Sequence, residues 1–391
     1  MLIAVCGKSN TGKTTFFSAA TLVDAEISNR IFTTIKPNKG VSYARAPCPC
    51  KKLGVKCSPQ NSKCIGGVRY IPVKLIDIAG LVPGAHKGKG LGNQFLSDIM
   101  EAQALVHIVD ISGGTDQDGN PIAPGTHDPI HDIGFFVKEI DYWILGILQK
   151  NWDQIKRKAT LQKEKFEDIL HKQLSGLGIG LEEVKEAAKE TGVSLDSSEE
   201  ELLRFVEAVR KTSKPILVAG NKVDVPGADK IYHRIKETKV EILPCCAEAE
   251  LALRRAAEKG IIKYAPGDTR FGVLQPQDEK HQKALEFIQK GVLDKFGSTG
   301  VQEVINKAVF DLLDMIVVYP VASISRLADS RGNILPDAHL VRKGTTLREF
   351  AQKVHTTMAE HFIGGIGLDK RKVGADYELK DGDVIEILFR K

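Results

Sequence analysis

Residues 7–14 read GKSNTGKT, and this stretch decides the fold because it fits G-x-x-x-x-G-K-[ST] in full. An apolar run, LIAVC (2–6), precedes it, and KTTFFSAATLV (13–23) follows with helical character. Strand, glycine loop and helix in that order form a phosphate cradle. Glycines let the backbone wrap an anion, while successive N–H groups and the helix N-terminus supply a positive field. The residues expected to surround the phosphates are Gly7, Lys8, Ser9, Asn10, Thr11, Gly12, Lys13, Thr14 and Thr15. Lys13 is the residue to reach the β- and γ-phosphates, and the Thr14 hydroxyl is a ligand for Mg²⁺.

Outward from the loop, short β-rich runs alternate with helical segments. ALVHIVDIS (104–112), KPILVAGNKVD (214–224) and VEILPCCA (240–247) each end in a polar loop. That alternation argues for a mostly parallel sheet covered on both faces. GVSYARA (40–46) and VRYIPVKLIDIAG (68–80) read as two strands flanking an insertion. The fold class is therefore α/β: a P-loop NTPase domain over residues 1–130 and 211–277, interrupted by a helical insertion at 131–210. A helical connecting region at 278–317 leads to a β-grasp module at 318–391. In that module a turn is expected at Arg331-Gly332-Asn333, a helix opening at Thr345 or Thr346, and a turn at Asp381-Gly382-Asp383 before the last strand.

At 391 residues the chain can bury more than one core, and 42% apolar with 27% charged residues is an ordinary globular composition. A formal charge of +5 permits an anionic partner without requiring one. No apolar run is long enough to suggest a membrane span. A phosphate loop this near the first residue would be destroyed by signal cleavage, so the expected location is the cytoplasm.

Asp77 ends the apolar run VKLI, where a carboxylate that organises magnesium belongs, and Gly80 follows in Asp-x-x-Gly to offer a backbone N–H to the γ-phosphate. The next residue is Leu81, where many hydrolysing switches carry a glutamine that orients water. Asn221-Lys222-Val223-Asp224 lies after a strand. Asp224 there can accept two hydrogen bonds from guanine N1 and N2, a pairing adenine lacks. Lys222 would lay its stem along the base, and Asn221 would tie this loop to the phosphate loop.

Taken together, GKSNTGKTTFF, FTTIKPNKG (32–40), DIAGLVPGAHKGKGLGNQFL (77–96) and NKVD resemble the Obg-type translation-factor GTPases, and within them the YchF-like branch. The C-terminal segment resembles a TGS domain, a ubiquitin-like module found in RNA-associated proteins. The resemblance implies GTP as substrate, the ribosome or RNA as partner, and no expected DNA or membrane contact. It implies Thr34, or else Thr33, as the switch threonine on Mg²⁺ and the γ-phosphate. It also implies a backbone contact from Ala247 to guanine O6, with Cys246 standing where a serine is usual. Some YchF-like proteins prefer ATP and carry an altered base-reading motif; the intact Asn221-Lys222-x-Asp224 here points to GTP. The same family places a hydrophobic residue at the Leu81 position, so the water must be oriented by something else. Asn10 resembles the asparagine that ligates a potassium ion beside the phosphates in related GTPases. His107 matches a histidine proposed to assist hydrolysis, although a lone histidine on an apolar strand also reads as a core residue. A partner such as the ribosome could instead complete the site. Unassisted hydrolysis is expected at roughly 10⁻⁴ to 10⁻² per second.

Cys48, Cys50, Cys57 and Cys64 fall within CPCKKLGVKCSPQNSKC, spaced C-x-C-x₆-C-x₆-C. Four thiols at that density could bind a structural Zn²⁺, form two disulfides, or stay unligated. The insertion is expected at a hairpin tip, away from the nucleotide. Cys6, Cys245 and Cys246 read as buried thiols. Two other functional readings stand beside the GTPase switch: a nucleotide-gated scaffold in which hydrolysis is incidental, and an ATPase of the same family.

Overall fold

The structure, a computed structural model, describes residues 1–22, 38–78, 80, 84, 98–162, 164–354 and 360–390. Thr33, Thr34 and Leu81 lie outside the described residues. The chain forms two compact units. Among the described residues, one holds Met1–Leu22, residues 38–40 and those of Lys74–Val304; the other holds Val41–Val73 and those of Ile305–Lys391.

The first unit is built on parallel strands. β1 (Leu2–Cys6) and the phosphate loop lead into α1 (Lys13–Thr21). After β2 (Lys39–Pro47), the short α2 (Cys50–Leu53) and β3 (Lys63–Ile65) come β4 (Val68–Asp77) and β5 (Ala104–Asp110). The full sheet runs β2-β4-β1-β5-β6-β7, with β3 on β4. Here β6 is Ile216–Asn221 and β7 is Ile242–Pro244. β4, β1, β5, β6 and β7 pair in parallel, and every residue of β5 is buried. Strands covered on both faces must be apolar throughout, which is why ALVHIVD shows no alternation.

Between β5 and β6 stand α3 (Pro129–Lys150), α4 (Trp152–Gln162), α5 (Phe166–Leu174), α6 (Leu181–Thr191) and α7 (Glu199–Ser213). Asp128 caps α3 by accepting from the Ile130 N–H, with Pro129 in the first turn. Ile133, Phe136, Ile140, Ile144 and Leu148 give that helix one buried stripe. Ser198 and Glu201 form a reciprocal capping box on α7. A buried ion pair, Arg210 Nε to Asp141 Oδ1 at 2.6 Å, joins α7 to α3. α8 (Ala228–Glu237) and α9 (Ala247–Glu258) flank β7, and the two-residue strands β8 (Ile262–Lys263) and β9 (Gly272–Val273) pair beyond them. α10 (Glu279–Ile288), with its π-helical continuation Gln289–Leu293, precedes α11 (Val301–Lys307).

The second unit carries a five-stranded sheet ordered β11-β10-β14-β12-β13. Its strands are β10 (Met315–Val321), β11 (His339–Arg342), β12 (Phe362–Ile366), β13 (Lys372–Val373) and β14 (Val384–Phe389), with α12 (Leu347–Val354) between β11 and β12. β10 and β14 are parallel, the others antiparallel, which gives the expected β-grasp. Thr346 opens α12: its hydroxyl and backbone N–H pair with Glu349.

β10 has two apolar faces. Ile316 and Val318 pack with Leu347, Phe350 and Ala351 of the helix. Val317, Tyr319 and Val321 point into a second core that contains Ala46, Cys48, Cys50 and Ile71. The cysteine insertion joins the neighbouring strands β2 and β4, as expected of a hairpin tip, and packs its cysteines into this second core. It covers the face of the β-grasp sheet that α12 leaves open.

Candidate functional site

The phosphate loop depends on two glycines. Gly7 has φ +139° and Gly12 has φ +91°, both in the region that favours glycine. A Cβ on Gly7 would come within 2.4 Å of the Ile108 carbonyl, and one on Gly12 within 2.3 Å of Asn221 Nδ2. The second approach exists because Asn221 Nδ2 donates to the Thr11 carbonyl at 2.9 Å. Asn221 thus binds the loop through its nitrogen, and its Oδ1 accepts the Ala247 N–H at 3.0 Å. One buried side chain links the phosphate loop, the end of β6 and the start of α9.

Lys13 Nζ donates to the Lys8 carbonyl at 2.7 Å, and Thr11 Oγ1 donates to the same oxygen at 3.1 Å. Burial lowers the Lys13 pKa, while Asp77 and Cys6 oppose that shift. The Thr14 hydroxyl donates to Asp77 Oδ2 at 3.0 Å. Asp77 Oδ1 is buried and has no hydrogen-bond partner among the described residues. Burial raises the Asp77 pKa, against the Thr14 hydrogen bond and the Lys13 charge. A half-buried carboxylate with one unpaired buried oxygen, beside a threonine hydroxyl, is a donor set that fits Mg²⁺. Gly80 packs on Ser9: a Cβ there would meet Ser9 Oγ at 2.7 Å.

A cavity of about 240 Å³ opens beside the loop, lined by Gly12, Thr15, Asn221, Lys222, Asp224, Val225, Cys246 and Glu248. Lys222 Nζ is fixed by the Asn10 carbonyl at 2.8 Å and by Asp110 Oδ2 at 2.8 Å, which leaves its stem along the cavity. Asp110 is held in turn by the N–H and hydroxyl of Ser112. The Cys246 thiol donates to Asp224 Oδ1 at 3.0 Å. Burial, then the neighbouring Asp224, pushes the Cys246 pKa far up, so the thiol keeps its proton and can donate. The Cys246 N–H is itself pinned by the Thr299 carbonyl at 2.8 Å. A cysteine can therefore fill the serine position and still orient the carboxylate.

His107 lies in β5 beneath the loop, 2% exposed, with its ring stacked on Phe136 at 4.1 Å between centroids. Its Nδ1 has no hydrogen-bond partner among the described residues. Burial lowers its pKa to about 3, helped by the charges of Lys13 and Lys8. Near neutral pH the ring is therefore neutral, with one N–H and one bare nitrogen.

Several residues that the sequence pattern does not flag shape the site. The Lys8 side chain turns away from the phosphate position and pairs with Asp132 Oδ2 at 2.7 Å, both side chains under 10% exposed. Lys8 Nζ also donates to the carbonyls of Thr115 (3.0 Å) and Asp116 (2.7 Å). His127 Nε2 sits 2.9 Å from Asp132 Oδ1. Asn10 Nδ2 donates to the Gly119 carbonyl at 2.9 Å. Residues 112–125 thus form a strap against Lys8, Ser9 and Asn10. Arg254 donates to the carbonyls of Ala19 and Leu22 at the end of α1. Only a strap sequence dense in Gly, Asp and Asn could have hinted at these contacts, and it reads equally well as an ordinary loop.

Comparison with known proteins agrees with this geometry. Residues 2–133 match the family described as 50S ribosome-binding GTPase, residues 219–323 the G4 motif-containing domain of Obg-like GTPases of the YGR210-like type, and residues 332–389 the TGS domain. An uncharacterized GTP-binding protein of Methanocaldococcus jannaschii is 50% identical over 391 residues, covering 99% of this chain and 98% of that protein. The ribosome-binding ATPase YchF of Escherichia coli O157:H7 is 27% identical, with 98% of each chain covered. The crystal structure of a GTP binding protein from Pyrococcus horikoshii OT3 has a TM-score of 0.80 and 40% identity, over 100% of both chains.

Proposed function

The chain belongs to the YchF-like branch of the Obg-type GTPases, and from that membership we propose a GTP-selective, magnesium-dependent switch that hydrolyses its nucleotide slowly and acts on the ribosome. Guanine selectivity rests on one observation: Asp224, held by the Cys246 thiol, lines the cavity that Asn221 joins to the phosphate loop. An oriented carboxylate can accept both guanine donors, and adenine would leave it unpaired at a cost. Thr14 and Asp77 would hold Mg²⁺, with Thr34 completing the set when the γ-phosphate is present. The metal would neutralise charge on the β- and γ-phosphates. Lys13 and the N–H groups of residues 7–14 would orient them, with the Gly80 N–H on the γ-phosphate.

Slow turnover follows from Leu81, which cannot orient a water. A partner supplied in trans would then set the rate in the cell. The name of the Escherichia coli relative supports the ribosome as that partner. Its name also specifies an ATPase, so the base preference needs a direct test. Calorimetric titration with GTP and ATP in magnesium buffer provides it: GTP should bind at least about tenfold tighter, since each bond to a charged group contributes about 1.5–3 kcal/mol. Equal affinities would remove the guanine reading. Co-sedimentation with ribosomes, comparing a GTP analogue with GDP, separates a switch from a scaffold; binding indifferent to nucleotide would favour the scaffold.

A further inference from the structure

The cysteine insertion has geometry of its own. The Sγ atoms of Cys48, Cys50, Cys57 and Cys64 all lie within 4.8 Å of one another. Cys48 and Cys57 are separated by 4.0 Å, and Cys50 and Cys64 by 3.8 Å. A tetrahedral zinc–thiolate site with bonds of about 2.3 Å has ligand atoms about 3.8 Å apart. A disulfide would need about 2.05 Å. Two opposite edges therefore match a metal tetrahedron, and all the others lie within 4.8 Å.

Each ligand comes from a different local structure: Cys48 just past β2, Cys50 at the start of α2, Cys57 in the following loop and Cys64 in β3. Two backbone bonds bring them together, Cys48 N–H to the Gly67 carbonyl at 2.9 Å and Val55 N–H to the Cys50 carbonyl at 3.0 Å. The charge balance is also favourable. Four thiolates around one divalent ion leave a net charge of about −2. Lys51, Lys52, Lys56 and Lys63 are the charged residues between Cys48 and Cys64, and no acidic residue lies among them. Arg69 is fully buried next to the cluster. It reaches Cys48 Sγ at 3.5 Å, Ser62 Oγ at 3.0 Å and the Leu335 carbonyl at 2.9 Å, with its guanidinium 5.3 Å from the centre of the Tyr319 ring. Outer contacts of this kind hold metal ligands in place.

The insertion is too short to hold a core of its own, and segments of that size are stabilised by a staple. It nonetheless docks in one register. The Ser58 N–H donates to the Ile334 carbonyl at 2.8 Å and the Gln60 N–H to the Pro336 carbonyl at 2.6 Å. Asn61 pairs both ways with the backbone of Ala338, at 2.9 and 3.1 Å. We propose that Cys48, Cys50, Cys57 and Cys64 bind one Zn²⁺ as a closed structural site, and that this ion clamps the insertion onto the β-grasp sheet opposite α12. Binding releases the thiol protons to solvent and involves no redox step. This proposal is independent of the nucleotide reading.

The test uses the full chain, purified with reductant from zinc-supplemented cultures. Metal analysis should find about one zinc per chain, and X-ray absorption should find four sulfurs at about 2.3 Å. Cys57→Ser should lower bound zinc at least tenfold. Because that variant can fail to fold, hydrogen exchange is read on wild type before and after zinc is stripped with a chelator. The amides of Ser58 and Gln60 should lose protection at least about tenfold, while those of α1 stay unchanged. Less than one tenth of an equivalent of metal, iron in place of zinc, or two disulfides found by mass spectrometry would overturn the assignment. Unchanged Ser58 and Gln60 protection in the stripped protein would overturn the clamp.

Discussion

Cys246 and Asp224 share a hydrogen bond, the thiol donating to Oδ1 at 3.0 Å. The bond fixes the carboxylate that lines the base cavity, so its loss should be felt in affinity for the base. Cys246→Ser keeps a donor and should leave GTP affinity within about threefold of wild type. Cys246→Ala should weaken it several-fold. Asp224→Asn should cost roughly 2–4 kcal/mol of GTP binding and narrow the gap to ATP. Titration calorimetry on the three variants checks this; an Asp224→Asn protein that still discriminates would show that the base is read elsewhere.

Lys8 and Asp132 form a buried ion pair at 2.7 Å behind the phosphate loop. Removing one partner strands the other charge, at a cost on the order of 3–5 kcal/mol. Asp132→Asn should lower the unfolding midpoint and, by freeing the strap at residues 112–125, raise the KM for nucleotide. A double change, Lys8→Met with Asp132→Leu, should recover much of the stability without restoring KM. Denaturant unfolding and steady-state kinetics together distinguish the two effects.

Burial holds His107 near a pKa of about 3, below its ordinary value. The linkage sign follows directly: below about pH 6.5 the unfolded chain takes a proton at this site and the folded chain does not, so stability falls as pH drops. At pH 5 the His107 contribution should be a loss of about 2 kcal/mol relative to pH 7.5. His107→Leu should abolish that part of the acid sensitivity. The ratio of wild-type to variant hydrolysis rates should stay constant from about pH 5.5 to 8.5, because the ring stays neutral across that range. A ratio that changes around neutrality would show that the ring titrates there and that burial does not hold it neutral.

How much of this was legible in the sequence differs from site to site. The phosphate loop and the Asn221–Asp224 stretch could be read because their chemistry is local: main-chain amides and one carboxylate at fixed spacing. The Cys246 departure was visible, but not its consequence, since a thiol donating to Asp224 needs β7 and β6 side by side. What the cysteine insertion packs against was not legible, because its partners lie more than 250 residues away, at Ile334, Leu335, Pro336 and Ala338. MIVVYPV (315–321) carries a trace of that packing. A β-grasp strand without alternation has a second face to cover, here by residues of the cysteine insertion.

Asn10 gives the last test. Its φ of +60° and the bond from its Nδ2 to the Gly119 carbonyl at 2.9 Å hold the amide in one orientation on the loop. With the nitrogen engaged by the strap, the carbonyl oxygen of the same amide is the end left for a monovalent cation. A potassium ion there would place positive charge beside the β- and γ-phosphates, the part an arginine plays in other switches. Single-turnover GTP hydrolysis should therefore run at least about tenfold faster in potassium than in sodium at equal ionic strength. Asn10→Ala should remove the difference while lowering the rate in sodium little. Equal wild-type rates in the two salts would leave Asn10 as a tether for the strap, and charge stabilisation would then have to come from a partner.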